Sequence, residues 1–404
     1  MPQPVAFHPR PGRSGVRLAA LPPLALYIHV PWCLRKCPYC DFNSHEAKGE
    51  APEREYVDAV IADLEASVPA VWGRKIHSVF VGGGTPSLFS PESIDRLLTA
   101  ARTLLPMEFE AEVTLEANPG TFEQAKFRAF REAGVNRLSV GIQSFDDARL
   151  SAIGRVHGSD EARRAARIAV ETFPRVNLDL MYALPGQDEA GALRDVREAL
   201  AFAPEHLSCY HLTIEPNTLF ASRPPVVPDE DTAAAMEDAI EAGLALAGYE
   251  HYETSAFAKP GGRARHNVNY WRFGDYLGVG AGAHGKLSFP DRIVRETRYR
   301  QPRAYMEAAR EGRAIQSSNE IAAADLPFEF AMNALRLSDG FALAAFTERT
   351  GLAAAAIEAP LARAEALGLV ERDAFHVRPT PRGRRFLNDL LGLFLPNPRT
   401  PQKG

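Results

Sequence analysis

The sequence predicts an α/β fold: a partial (βα)6 TIM-like barrel followed by a small C-terminal winged-helix-like domain. Three observations carry this expectation. Six short apolar runs end in turn residues, segments of helical period separate them, and the pattern changes after residue 320. Strands that alternate with helices point to βαβ units and a parallel sheet, with chemistry at the carboxyl ends of the strands.

The runs are residues 24–30 (LALYIHV), 76–82 (IHSVFVG), 112–118 (EVTLEAN), 137–143 (RLSVGIQ), 176–182 (VNLDLMY) and 206–214 (HLSCYHLTI). Each is rich in Val, Ile, Leu or aromatics, as buried strands are. Helical period recurs over 52–68, 91–105, 122–133, 160–172 and 190–202. The barrel is expected over 21–245. Residues 246–320 read as a less regular connecting region with a Gly-rich stretch, LGVGAGAHG. Residues 321–396 read as a C-terminal domain: helices at 326–337, 342–350 and 354–367, a hairpin in LVERDAFHVRPTPRG, and a last helix at 384–393. Residues 1–20 and 397–404 read as disordered tails. The first carries Arg10, Arg13 and Arg17, but Pro2, Pro4, Pro9 and Pro11 would break the amphipathic helix of a transit peptide.

The chain has 404 residues, 46 basic against 51 acidic, and a net charge of −5. This balance leaves no electrostatic footprint for nucleic acid. No apolar run approaches the roughly 18 residues that a membrane helix needs. A cytoplasmic protein is expected. Three of the four cysteines fall within eight residues, a spacing that suits a metal site in a reducing compartment better than a disulfide scaffold.

That loop reads CLRKCPYC, with Cys33, Cys37 and Cys40 in C-x3-C-x2-C spacing. Three thiolates can hold three irons of a cubane and leave the fourth iron open. A structural zinc site is the alternative, and it would need His29, His45 or remote Cys209 as a fourth ligand. Cys209 itself reads as a small buried hydrophobe.

A C-x3-C-x2-C loop directly after the first barrel strand resembles the radical S-adenosylmethionine superfamily. The resemblance implies a [4Fe–4S] cluster whose open iron chelates S-adenosylmethionine, and an electron donor that lets the cluster split the sulfonium reductively. It also implies cofactor contacts. Tyr27 and Tyr39 flank the loop, and Gly83, Gly84 and Thr85 follow the second strand. Glu116 closes the third strand, Gln143 the fourth, Arg155 follows in IGRVH, and Asp179 lies in the fifth. A carboxylate suits ribose hydroxyls or an ammonium, and an arginine suits a carboxylate. Each of these groups could instead be a paired structural charge.

Across most of the chain the match is to the HemN/HemW family, which has two branches. One comprises oxygen-independent coproporphyrinogen III oxidases, radical oxidative decarboxylases; the other comprises heme chaperones. The first has a further cysteine just after the triad, where this chain has Phe42. The second carries an H-N-x-x-Y-W signature, matched here by His266, Asn267, Tyr270 and Trp271. The resemblance therefore implies heme as a ligand and heme-acceptor proteins, such as respiratory enzymes, as partners. Peripheral membrane contact is compatible with that role. His266 could ligate iron while Tyr270 and Trp271 pack on the porphyrin; alternatively the segment is a turn with its aromatics in the core. Gly280–Gly282 read either as backbone beside the cofactor or as a packed turn. The winged region reads as a lid or docking module, and turnover is left open.

Overall fold

In a computed structural model, residues 15–47, 49, 51–121 and 124–396 are described. All six apolar runs are strands: β1 (Leu24–Val30), β2 (Ile76–Gly83), β3 (Met107–Ala117), β4 (Arg137–Gln143), β5 (Arg175–Tyr182) and β6 (His206–His211). They pair in sequence order, each parallel to the next. Helices α1 (Glu53–Ser67), α2 (Pro91–Leu104), α3 (Gln124–Glu132), α4 (Asp147–Ala152), α5 (Ser159–Thr172) and α6 (Glu189–Ala201) connect them. The helix starts follow local chemistry. Ser90 accepts the Ser93 N–H ahead of Pro91, and Asp188 accepts the Gly191 N–H.

Strand periodicity sorts the side chains into two sets. Val79, Val81, Leu115, Leu138, Val140, Leu178, Leu180, Leu207 and Cys209 join the main apolar core. Their neighbours Phe80, Glu116, Ser139, Asp179 and Ser208 line a cavity. Because the strands run parallel, their carboxyl ends gather on one side, where the cysteine loop also lies.

Residues 249–320, which show no regular signal in sequence, extend the same sheet. Strand β7 (Glu250–Glu253) and β8 (Ala256–Ala258) add antiparallel strands beside β6. Strand β9 (Asp275–Val279) lies parallel to β1, and β10 (His284–Phe289), β11 (Arg292–Arg298) and β12 (Ile315–Glu320) continue outward antiparallel. These strands are short or, like the edge strand IQSSNE, mostly polar and exposed, so an apolar-run criterion passes over them. Between β6 and β7 lies α7 (Glu230–Leu246); α8 (Arg265–Trp271) and α9 (Pro302–Arg310) follow.

The C-terminal region holds α10 (Leu326–Ala334), α11 (Leu343–Thr350) and α12 (Ala355–Ala366), with a small three-stranded sheet of Phe341–Ala342, Val370–Arg372 and His376–Pro379. The expected last helix is two short ones, Pro381–Arg385 and Leu387–Gly392, broken at Phe386. A second apolar cluster includes Phe330, Phe346, Ile357 and Leu361. Val16 and Leu18 are buried in it too, and the Arg17 N–H donates to Gly351 O. The expectation of a free tail through residue 20 therefore fails from residue 16 onward, because two apolar side chains pin the segment to the C-terminal core. Residues 1–14 and 397–404 lie outside the described residues. Among the described residues no helix is long and apolar enough to cross a membrane.

Candidate functional site

After β1 the chain turns into the cysteine loop. Residues Trp32–Cys33 pair with His45–Glu46 and close the loop at its base. The turn after β2 clamps it: the Gly84 N–H donates to Val30 O and the Thr85 N–H to Trp32 O, both at 2.7 Å. A Cβ on Gly84 would stand 2.5 Å from Trp32 O, and Gly83 has φ +115° with its α-carbon against the His29 ring. Close backbone approach and a left-handed conformation explain these two glycines. The third side of the clamp is Asn43, whose amide donates to Ala281 O and Arg300 O. The Gly-rich turn thus holds the loop's exit.

Cys33, Cys37 and Cys40 all line one cavity of about 420 Å³, within the size range of small-ligand sites. Each sulfur has a polar neighbour. Thr85 Oγ1 donates to Cys33 Sγ at 3.6 Å, Arg155 Nη1 to Cys37 Sγ at 3.7 Å, and Ser44 Oγ lies 3.6 Å from Cys40 Sγ. Burial pushes the Cys33 thiol up, partly offset by Thr85. Three cavity-facing thiols, each beside a group able to donate to sulfur, fit a cubane held by one thiolate per iron. Cys209 faces the apolar core, where burial pushes its thiol up to about 12.

The predicted cofactor residues Tyr39, Gly83, Gly84, Thr85, Glu116, Gln143, Arg155 and Asp179 line the same cavity. Tyr27 does not. Its hydroxyl meets His29 Nδ1 at 2.8 Å, and its ring stacks on Phe80. His29 Nε2 donates to Asn43 O at 2.9 Å, so Nδ1 must accept from Tyr27. Burial lowers the His29 pKa to about 4 and keeps the ring neutral. The Tyr27–His29 pair therefore supports the loop from below.

Asn118 was not foreseen. Its carbonyl accepts Arg155 Nη2 at 2.6 Å and its amide donates to Thr85 Oγ1 at 2.7 Å. With the two sulfur contacts this makes one hydrogen-bonded arc from Cys33 through Thr85, Asn118 and Arg155 to Cys37. Asn118 ends the LEAN run that carries Glu116, and that position was its only signal. Gln143 adopts φ +69°, a left-handed backbone rare for a residue with a side chain, at the carboxyl end of β4. Asp179 accepts from Ser139 Oγ at 3.0 Å and Asn177 Nδ2 at 2.7 Å, yet burial still raises its pKa.

Glu116 accepts the Gly83 N–H at 2.9 Å. Burial, opposed by that bond and reinforced by Asp179, raises its pKa from 4.5 to about 8. A carboxyl raised this far is mostly protonated at pH 7, and a cation placed beside it would favour its ionised form. Two results follow. Cation binding near Glu116 should release a proton at pH 7, visible as a buffer-dependent enthalpy in calorimetry. Because its pKa is raised on folding, Glu116 stabilises the fold fully below pH 4.5, and that contribution is lost as pH rises toward 8. Glu116→Gln should flatten the stability profile over that interval, and an unchanged profile would show that the group ionises freely.

Helix α8 closes the amino-terminal end of the barrel. Glu112 accepts Arg137 Nε at 2.8 Å and the Arg265 N–H at 2.8 Å, and lies 3.3 Å from His266 Nδ1. Burial pushes Glu112 up, but His266 and Arg137 outweigh it and hold the carboxyl below its usual range. His266 and Asn267 line the cavity floor, and His266 lies 4.3 Å from the Phe80 ring. Tyr270 and Trp271 are not among the cavity's lining residues. Tyr270 packs edge-on against Tyr276, and Arg336 from the C-terminal region covers Trp271 at 4.5 Å.

Comparison with known proteins agrees with this geometry. Residues 27–199 match the Radical SAM superfamily and residues 321–386 the HemN C-terminal domain. The chain is 50% identical to the heme chaperone HemW of Escherichia coli, over 94% of this chain and all of that one. It is 46% identical to that of Haemophilus influenzae, over 93% and 98%. The solved coproporphyrinogen III oxidase HemN of Escherichia coli, at 22% identity, superposes with a TM-score of 0.79 over 93% of this chain and 90% of that one, a likeness of fold. The superfamily match and the cavity's donor set agree on a [4Fe–4S] cluster and S-adenosylmethionine, and the chain belongs to the HemW family of radical S-adenosylmethionine proteins.

Proposed function

We propose that this chain is a cytoplasmic heme-binding chaperone that passes heme to acceptor proteins such as respiratory enzymes. Cys33, Cys37 and Cys40 would hold the cluster, which would supply one-electron reduction to bound S-adenosylmethionine when charged by an electron donor, and this pair would regulate the transfer. Thr85, Asn118 and Arg155 hold the sulfur side of the site, and Glu116 and Asp179 receive the ribose hydroxyls or the ammonium of S-adenosylmethionine. His266 and Asn267 present the heme signature to the cavity, while Tyr270 and Trp271 anchor its helix.

One observation carries the choice of carrier over decarboxylase. At the position where coproporphyrinogen III oxidases of this family have a further thiol, an exposed Phe42 ring stands at the cavity wall. A phenyl ring can neither ligate iron nor relay a hydrogen atom. Incubated without oxygen with coproporphyrinogen III, a strong reductant and excess S-adenosylmethionine, the cluster-loaded protein should form no protoporphyrinogen. Titrated with heme, it should retain about one per chain with a Soret band. Robust protoporphyrinogen formation would overturn the chaperone reading.

A further inference from the structure

Three neighbouring strands put a set of polar side chains inside the barrel, below the strand ends. Alternation turns Ser139 of β4, Asn177 and Asp179 of β5, and His206 and Ser208 of β6 toward the cavity. The register sets them side by side: Ser139 pairs with Asn177, Asn177 with His206, and Asp179 with Ser208.

Asn177 is the junction of this set, and all four of its side-chain hydrogen-bonding positions are taken. Its Nδ2 donates to Asp179 Oδ1 at 2.7 Å and to Ser139 Oγ at 2.8 Å. Its Oδ1 meets His206 Nδ1 at 2.6 Å and accepts from Ser208 Oγ at 3.1 Å. Because Oδ1 can only accept, His206 Nδ1 carries the ring proton and Nε2 offers a lone pair. The Tyr252 hydroxyl lies 2.8 Å from that Nε2. Its oxygen already accepts from the Asn267 side chain and from the Ala264 N–H at 3.4 Å, so toward His206 it donates. Burial and the nearby Arg137 hold the His206 pKa well below 6.5, so the ring stays neutral. The donors therefore run one way, from helix α8 through Tyr252, His206 and Asn177 to the Asp179 carboxylate.

That direction matters, because an amide can present either end to a carboxylate. Turned round, Asn177 would set its own oxygen against Asp179. Ser208 does not prevent this. It has one proton, within reach of both Asn177 Oδ1 and Asp179, and a hydroxyl can also accept. The imidazole N–H can only donate. We infer that His206 is a positioning residue for the cofactor site: it fixes the Asn177 amide, which in turn holds Asp179 oriented toward S-adenosylmethionine. The inference rests on the assignment of Asp179 to that cofactor above. It adds a support that begins at the helix carrying His266 and Asn267. Hydrogen bonds in a chain polarise one another, so each donor behind Asn177 strengthens the last.

The test is calorimetric titration of S-adenosylmethionine into the anaerobic, cluster-loaded full chain. His206→Leu should weaken binding about tenfold, the scale of one net hydrogen bond to a charged group. Tyr252→Phe frees the tautomer but keeps the ring, and should weaken binding less. His206→Asn, whose amide can replace the Nδ1 donor, should recover most of the affinity. In an Asp179→Ala background His206→Leu should cost nothing further, because its effect passes through that carboxylate. Cluster absorption retained in each variant reports intact folding, and Tyr252→Phe carries the same cycle if His206→Leu loses its cluster. Losses that add in full would show a packing role for His206 and overturn the inference. Native affinity in His206→Leu beside weakened binding in Asp179→Ala would also overturn it, while the cofactor assignment stands. Native affinity in Asp179→Ala would overturn both.

Discussion

Replacing any one of Cys33, Cys37 or Cys40 by Ala is expected to abolish the [4Fe–4S] absorption of the reconstituted protein, while Cys209→Ala leaves it intact. The three thiols line one cavity and each has its own polar neighbour, so none can substitute for another. Cys209 cannot replace a lost ligand. It belongs to the helix-facing set of β6, and its neighbours Ser208 and Tyr210 take the cavity side. Metal analysis and visible absorption after anaerobic reconstitution check this. Loss of iron in Cys209→Ala would mean that the site draws on four cysteines.

Arg137→Ala should be the most destabilising single change at the barrel floor. Both members of the Arg137–Glu112 pair are almost wholly buried, and Arg137 also reaches Glu205 Oε1 at 3.0 Å and Gly262 O at 3.0 Å. Removing the guanidinium leaves a buried carboxylate short of its main countercharge, a loss of about 3–5 kcal/mol. Urea unfolding should show a lower midpoint with an unchanged slope. Glu112→Gln added to Arg137→Ala should recover part of the loss, since the stranded charge is then gone. A midpoint shift below about 1 kcal/mol would show that water or Arg175, 3.6 Å from Glu112, neutralises the carboxylate.

The cluster loop and the six parallel strands were legible in the sequence, because both are local signals. Spacing within eight residues dictates how three thiols share a loop, and a two-residue period dictates which side chains face the barrel interior. The same locality explains why Gly83, Gly84, Thr85, Glu116, Gln143, Arg155 and Asp179, singled out by the family resemblance, line one cavity: each lies in or just beyond a predicted strand. The arc from Cys33 to Cys37 was not legible. Asn118 and Arg155 are 37 residues apart, and their 2.6 Å contact exists only once the barrel closes. Strands β7 to β12 were missed because most are short and broken by polar residues or glycine, and the two at the sheet edges, β7 and β12, are stabilised by a partner's backbone and carry little apolar pattern of their own.

Charge placement shows the division most clearly. Read alone, Glu112, Arg137 and His266 are three unremarkable polar residues, spread over 155 positions of the chain. Folding brings them into one buried group because the strands bearing Glu112 and Arg137 start side by side and α8 caps their ends. Similarly, Phe42, Val156 and Tyr210 have no common motif, and only the packing of the cysteine loop against the loops after α4 and β6 puts them on one cavity wall. The sequence by itself therefore determined the barrel strands, the three-cysteine loop and the polar set at the strand ends, each encoded within a few residues. Only the tertiary structure decided which charges pair in the floor and which apolar side chains meet at the mouth. Those contacts join segments far apart in the chain, and no local period or spacing records them.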